Sequence, residues 1–110
     1  MNVWIASDIH GSALYCRKLL DLVERQGGGR LVLLGDLLYH GPRNDLPAGY
    51  DPKAVFAMLN ERKDRILCVH GNCDAEVDQM VLDFPIEADF RVEDLCGRRL
   101  FLTHGHHLSL

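Results

Sequence analysis

Four short stretches concentrate residue types that bind divalent metals. They are Ser7-Asp8-Ile9-His10-Gly11, Gly35-Asp36-Leu37-Leu38-Tyr39-His40-Gly41, His70-Gly71-Asn72-Cys73-Asp74 and Thr103-His104-Gly105-His106-His107. Each follows an apolar run, and each carries glycine, which lets the backbone turn sharply and pass close to a bound group. Asp8, His10, Asp36, Asn72 and His104 are the candidate ligands. Carboxylate, imidazole and amide donors without thiolate suit manganese, iron, zinc or a similar ion. Asp36 is the candidate to bridge two ions. Such a pair, about 4 Å apart, clamps a phosphoryl group for in-line displacement and activates a water at neutral pH. No side-chain nucleophile is then needed.

These residues are far apart in the chain, so the fold must bring them together. Residues 2–6 read as a short apolar strand. Residues 12–26 read as a helix with Ser12 as N-cap, because Cys16, Leu19, Leu20 and Val23 recur at helical spacing. Gly27-Gly28-Gly29 stops it. Residues 31–34 form a second strand. Asp51-Pro52 then starts a helix as cap and first-turn proline, with Val55, Phe56, Met58 and Leu59 on its apolar face. Residues 66–69 form a third strand. Strands alternating with helices imply a parallel α/β sheet, whose continuous apolar runs fit strands buried on both faces. In such a sheet the carboxyl ends of the strands share one edge, where ligands bind. After Asp74 the pattern loosens. Residues 75–82 suggest a helix capped by Asp74, and residues 84–92 and 99–103 suggest further strands, the first weakened by Pro85.

The 110 residues fit one domain, with 47% hydrophobic and 25% charged residues. The net charge is −4 and there is no basic run, so a general nucleic-acid binder is not expected. No apolar run approaches a membrane span, and no basic-then-apolar leader opens the chain. A cytoplasmic protein with reduced thiols is therefore expected, and the four scattered cysteines suggest no disulfide framework.

The ordered set "SDIHG", "GDLLYHGPRN", "GNCD" and "THGH" resembles the motifs of calcineurin-like metallophosphoesterases. "HGPRN" and "GNCD" point to the small bacterial phosphodiesterases of the YfcE type. The resemblance runs over essentially the whole chain. It implies an α/β/β/α sandwich and a dinuclear phosphodiesterase, with manganese as the first expectation and iron, zinc, nickel or cobalt as alternatives. Carried over by motif, Asp8 and His10 would hold one ion, Asp36 would bridge, and Asn72 and His104 would hold the second. Asp36, Asn72 and His104 would then be the catalytic set, acting on a small phosphodiester, with Asn72 also touching substrate. Family members continue to a later "GHTH" motif that adds a histidine to each ion. Its absence here leads to the expectation of a single domain over residues 1–110, truncated after the "THGH" strand.

Each of these residues also has a plainer reading. Asp8 and His10 could cap the following helix, and Asp36 and Asn72 are common turn residues. His106 and His107 could stand in as ligands or be polar residues near a chain end. Arg43 is a candidate phosphate contact, since a guanidinium matches phosphate oxygens, or a solvated loop residue. His70 is expected beside the site rather than as a ligand. Cys73 stands where monoester-cleaving relatives carry a general-acid histidine. Among the roles of nucleophile, metal ligand and small packing residue it is read as the last, which disfavours monoesters. The competing function is a non-catalytic remnant or interaction module of the same fold, and within enzymes a phosphomonoesterase. An unpaired strand edge makes homo-oligomers a further expectation.

Overall fold

Alternation of side chains decides how the central sheet is dressed. In the computed structural model, which describes residues 2–39 and 46–105, three strands pair in parallel in the order β1 (Val3–Ala6), β2 (Arg30–Leu33), β3 (Ile66–Cys68). The register aligns Val3 with Arg30, and Leu31 with Ile66. Trp4, Ala6, Leu31, Leu33, Ile66 and Cys68 point to one face, and Val3, Val32, Leu34, Leu67 and Val69 to the other. Both faces are covered, which is why the strands read as unbroken apolar runs.

The first face carries helices α1 (Ala13–Arg25) and α2 (Pro52–Asn60), whose Cys16, Leu20, Val55 and Leu59 complete the larger core. Ser12 caps α1 as expected. Its hydroxyl accepts from Tyr15 N–H at 3.2 Å and donates to the Ala48 carbonyl at 2.6 Å. Asp51 caps α2 through Ala54 N–H, ahead of Pro52. The two helix starts are tied together by Ala13 N–H to Gly49 O and Asp51 N–H to Gly11 O, both 2.8 Å. Gly27, Gly28 and Gly29 all have positive φ, which ends α1.

The second face carries the antiparallel hairpin β4 (Phe90–Leu95) and β5 (Arg98–Thr103). Leu95, Leu100 and Leu102 pack onto Val32, Leu67 and Val69. Cys96 and Gly97 form its two-residue turn, both with φ > 0, as a tight hairpin requires. The described layers are thus helix, sheet, sheet.

Two expectations need correction. Residues 84–89 are not a strand. Pro85 cannot donate to a ladder, and the Gln79 side chain satisfies the backbone instead: its amide donates to the Leu82 and Phe84 carbonyls and its carbonyl accepts Ile86 N–H. The strand begins only at Phe90. Nor does Asp74 cap the next helix. Helix α3 (Glu76–Val81) has Ala75 at its N-cap, whose N–H donates to Asp78 Oδ2 at 3.2 Å. The Asp74 carboxylate points elsewhere. Among the described residues no helix is long and apolar enough to cross a membrane, and all four cysteines are free.

Candidate metal centre

The loops after β1 and β2 adopt a conformation that ordinary residues avoid. Asp8 (φ 60°), His10 (φ 51°) and Asp36 (φ 57°) all lie in the left-handed region. Such non-glycine residues cost about 1–3 kcal/mol each and cluster at functional sites. The two loops brace one another through Asp8 N–H to Gly35 O (3.1 Å), His10 N–H to Asp36 O (2.8 Å) and Gly11 N–H to Leu37 O (2.8 Å).

The loop after β3 closes on the same point. Cys73 N–H donates to Asp36 Oδ1 at 2.7 Å. A Cβ on Gly71 would stand 2.3 Å from Asp36 Oδ1, and one on Gly35 would stand 2.4 Å from Gly71 N, so the strand ends meet backbone to backbone. From the other sheet, β5 delivers His104, whose Nδ1 lies 2.7 Å from the Leu34 carbonyl. His10 Nδ1 likewise lies 2.9 Å from the Tyr39 carbonyl.

Those two carbonyls fix the imidazole chemistry. A carbonyl only accepts, so Nδ1 carries the proton in both rings, and in a neutral ring Nε2 is then the nitrogen that offers a lone pair. His10 Nε2 faces Asp8 Oδ1 at 3.1 Å and Asp36 Oδ2 at 3.9 Å, and His104 Nε2 faces Asp36 Oδ2 at 3.3 Å. Imidazole nitrogens this close to carboxylate oxygens share a cation, a proton in an ion pair or a metal ion in a ligand set. Asp8, Asp36 and His104 offer ligand atoms within 4.8 Å of one another, and so do His10, Asp36 and Cys73. Asp36 belongs to both groups, which is the position of a bridge.

The electrostatics agree. Burial pushes the buried Asp36 carboxyl above its ordinary range; Cys73 N–H and His104 pull it down, while Asp74 and Asp8 add to the rise. Against a burial cost that raises it, Asp8 is held below its ordinary range by the Ser7 hydroxyl, His104, Asp36 and His10. Burial, then Asp36, Asp74 and Asp8, raise the Cys73 thiol.

Asp8, His10, Asp36 and His104 therefore converge. Asn72 is exposed in the turn just before Cys73, at the same edge. Arg43, His40, His106 and His107 lie outside the described residues. His70 is half-buried, its Nδ1 has no hydrogen-bond partner among the described residues, and it joins neither ligand group. Two features escaped the sequence. Cys73 Sγ, expected in a packing role, lies within 4.8 Å of donor atoms of His10 and Asp36. Asp74, read as a helix cap, instead accepts three backbone N–H groups at the centre of the site. Two of these amides, on Asp36 and Leu37, come from another loop and no local spacing encodes them; the third, on Gly71, lies three residues back in the same loop.

A parallel sheet backed by helices, a second sheet on its other face, and carboxylates with imidazoles at the strand ends define a metallophosphoesterase fold. The chain belongs to the calcineurin-like phosphoesterase family, whose model matches residues 1–109. It is 52% identical over 106 residues to phosphodiesterase YfcE of Escherichia coli K12, and equally to the YfcE proteins of strains O6:H1 and O157:H7. A solved structure of YfcE, described as a phosphoesterase from E. coli, superposes with a TM-score of 0.92 at 52% identity, over 96% of this chain and 58% of that one. The chain spans 58% of the length of the curated relatives it matches. This family implies divalent metal, and the two Nε2 lone pairs with two carboxylates are a donor set that fits it.

Proposed function

We propose that this site hydrolyses phosphodiester bonds with two divalent ions, manganese first among the candidates. Asp36 is the bridge, Asp8, His10, Asn72 and His104 are further ligands, and Asn72 also contacts substrate, as does Arg43. The observation that carries the reading is Asp36 Oδ2 facing the Nε2 atoms of two imidazoles, His10 and His104, whose Nδ1 atoms lie against carbonyls, with Asp8 beside them. The similarity to the YfcE phosphodiesterases supports the choice of reaction.

Bound ions would supply an activated water and neutralise phosphate charge. The chain's own part is positional. Its left-handed turns and paired glycines bring the donors to one edge, and the β4–β5 sheet holds His104 against Leu34. A cavity of about 300 Å³ beside Asp8 and His10, lined by Ile9, Tyr15, Leu19 and Pro47, offers apolar space next to the donors. The substrate proposed is a small phosphodiester rather than a nucleic acid or a membrane lipid. The setting proposed is the cytoplasm, with self-association through a strand edge.

The test is Mn²⁺-dependent hydrolysis of bis-p-nitrophenyl phosphate by the 110-residue chain, with Asp36→Asn as control. Turnover that needs the metal and is lost in D36N supports the reading. A folded chain that binds no metal and shows no turnover would favour the non-catalytic module instead.

A further inference from the structure

We propose that Asp74 is the positioning residue that sets Asp36 in its bridging orientation without touching any ligand atom. The inference rests on the metal-site reading above. Asp74 is 8% exposed, and its carboxylate gathers three backbone N–H groups from two separate loops. Oδ2 accepts from Asp36 N–H at 2.9 Å and from Gly71 N–H at 2.8 Å, and Oδ1 accepts from Leu37 N–H at 3.1 Å. The left-handed turn at Asp36 takes these amides off the parallel ladder, whose register ends at Leu33 and Cys68. Buried and unpaired, they would each oppose the turn. Asp74 removes that opposition.

The arrangement is reciprocal. Asp74 holds the backbone of Asp36, while Asp36 Oδ1 holds the backbone N–H of Cys73, the residue next to Asp74. With Oδ1 so occupied, Oδ2 is the oxygen left to face His10 and His104. Only a carboxylate can do this, because both arms must accept. An asparagine would turn an NH₂ group toward one of the amides.

The experiment compares the parent chain with D74N and D74E. Mn²⁺ affinity is measured by calorimetry and by the EPR signal of free Mn²⁺, and metal-free amide spectra are recorded for residues 36, 37 and 71. D74N should keep its far-UV CD spectrum, bind Mn²⁺ 10–100-fold more weakly, and show displaced Asp36, Leu37 and Gly71 amide resonances. D74E keeps the charge but not the reach, so it should not recover the affinity; full recovery would make the effect one of charge and overturn the positioning role. A folded D74N that binds Mn²⁺ within twofold of the parent, with those amides unmoved, also overturns it. Should D74N not fold, hydrogen exchange in the parent decides: protection of the three amides supports the lock, and rapid exchange at all three refutes it. A parent that binds no Mn²⁺ refutes the metal reading alone, while the amide data still judge the lock.

Discussion

Gly71→Ala isolates the contact on which the site turns. Gly71 does not need a left-handed φ, so alanine meets no backbone objection there, and the perturbation is steric alone. Its Cβ would stand 2.3 Å from Asp36 Oδ1 and 2.6 Å from Asp36 N, against a floor of 3.0 Å for real Cβ contacts. The Asp36 side chain or the β3 turn must therefore retreat by at least ~0.7 Å. Either movement stretches the 2.7 Å bond from Cys73 N–H to Asp36 Oδ1. Overpacking of this kind costs about 1–3 kcal/mol, which lowers Tm by roughly 5–15 °C in a chain of this size. The displaced bridge should weaken Mn²⁺ binding by about 10–100-fold. Calorimetric unfolding and Mn²⁺ titration read the two effects separately. Gly97→Ala is the control. Its φ of +76° penalises alanine by roughly 1–2 kcal/mol, yet no atom lies within 4 Å of the added Cβ, and the turn is remote from the ligands. It should lose stability and keep Mn²⁺ affinity within twofold. G71A with unchanged affinity, or G97A with a weakened one, would refute the reasoning.

Ser12→Ala removes both the cap on α1 and the bond to Ala48, so chemical denaturation should show a loss of about 1–2 kcal/mol. Burial raises the Asp78 carboxyl, Ala75 N–H opposes the rise, Asp74 adds to it and His70 opposes it. A raised carboxyl favours the fold while protonated, so its contribution is full below pH 3.8 and is lost as pH rises through the folded-state value. Asp78→Asn keeps the acceptor for Ala75 and never ionises. It should be at least as stable as the parent at pH 7, with the advantage vanishing near pH 3; an advantage that grew on acidification would contradict the sign. Cys73→His places an imidazole where Sγ faces His10 and Asp36, so the ratio of monoester to diester turnover with p-nitrophenyl substrates should rise at least tenfold if the imidazole serves as general acid. An unchanged ratio would count against that role for position 73.

The helices and the parallel sheet were legible because their signals are local. Ser12, Asp51-Pro52 and Gly27-Gly28-Gly29 each act through the backbone within a few residues, and the caps formed where the types and spacing placed them. Asp8, His10 and Asp36 converge because strand ends of a parallel sheet share an edge, a consequence of topology; His104 instead arrives from the antiparallel β4–β5 sheet. What stayed hidden depended on a partner far along the chain. Residues 84–89 have strand-like content, yet a glutamine side chain takes the place of a neighbouring strand. Asp74 has the look of a helix cap, yet two of the three amides that claim it lie 37 and 38 residues away.

That distance bears on why the fold tolerates its own site. Asp8, Asp36 and Asp74 stand together, and three left-handed residues add backbone strain at the same edge. Neither cost is relieved locally. The strain is held by hydrogen bonds between loops, Asp8 to Gly35 and His10 to Asp36, and by the carboxylate of Asp74 across the next loop. The loops can resist displacement because their strands are anchored in two cores, Leu33 and Cys68 on the helical face and Val32 and Val69 on the other. Burial makes the Asp36 charge costly and repulsion from Asp74 and Asp8 adds to that cost, against the pull of Cys73 N–H and His104. A cation at the Nε2 lone pairs would relieve that repulsion in the folded state alone, so binding and folding reinforce one another. At a Mn²⁺ concentration 100 times the dissociation constant, the linkage stabilises the chain by about 2.7 kcal/mol. The same cation should leave D36N almost unprotected, which separates relief of this repulsion from ordinary screening by salt.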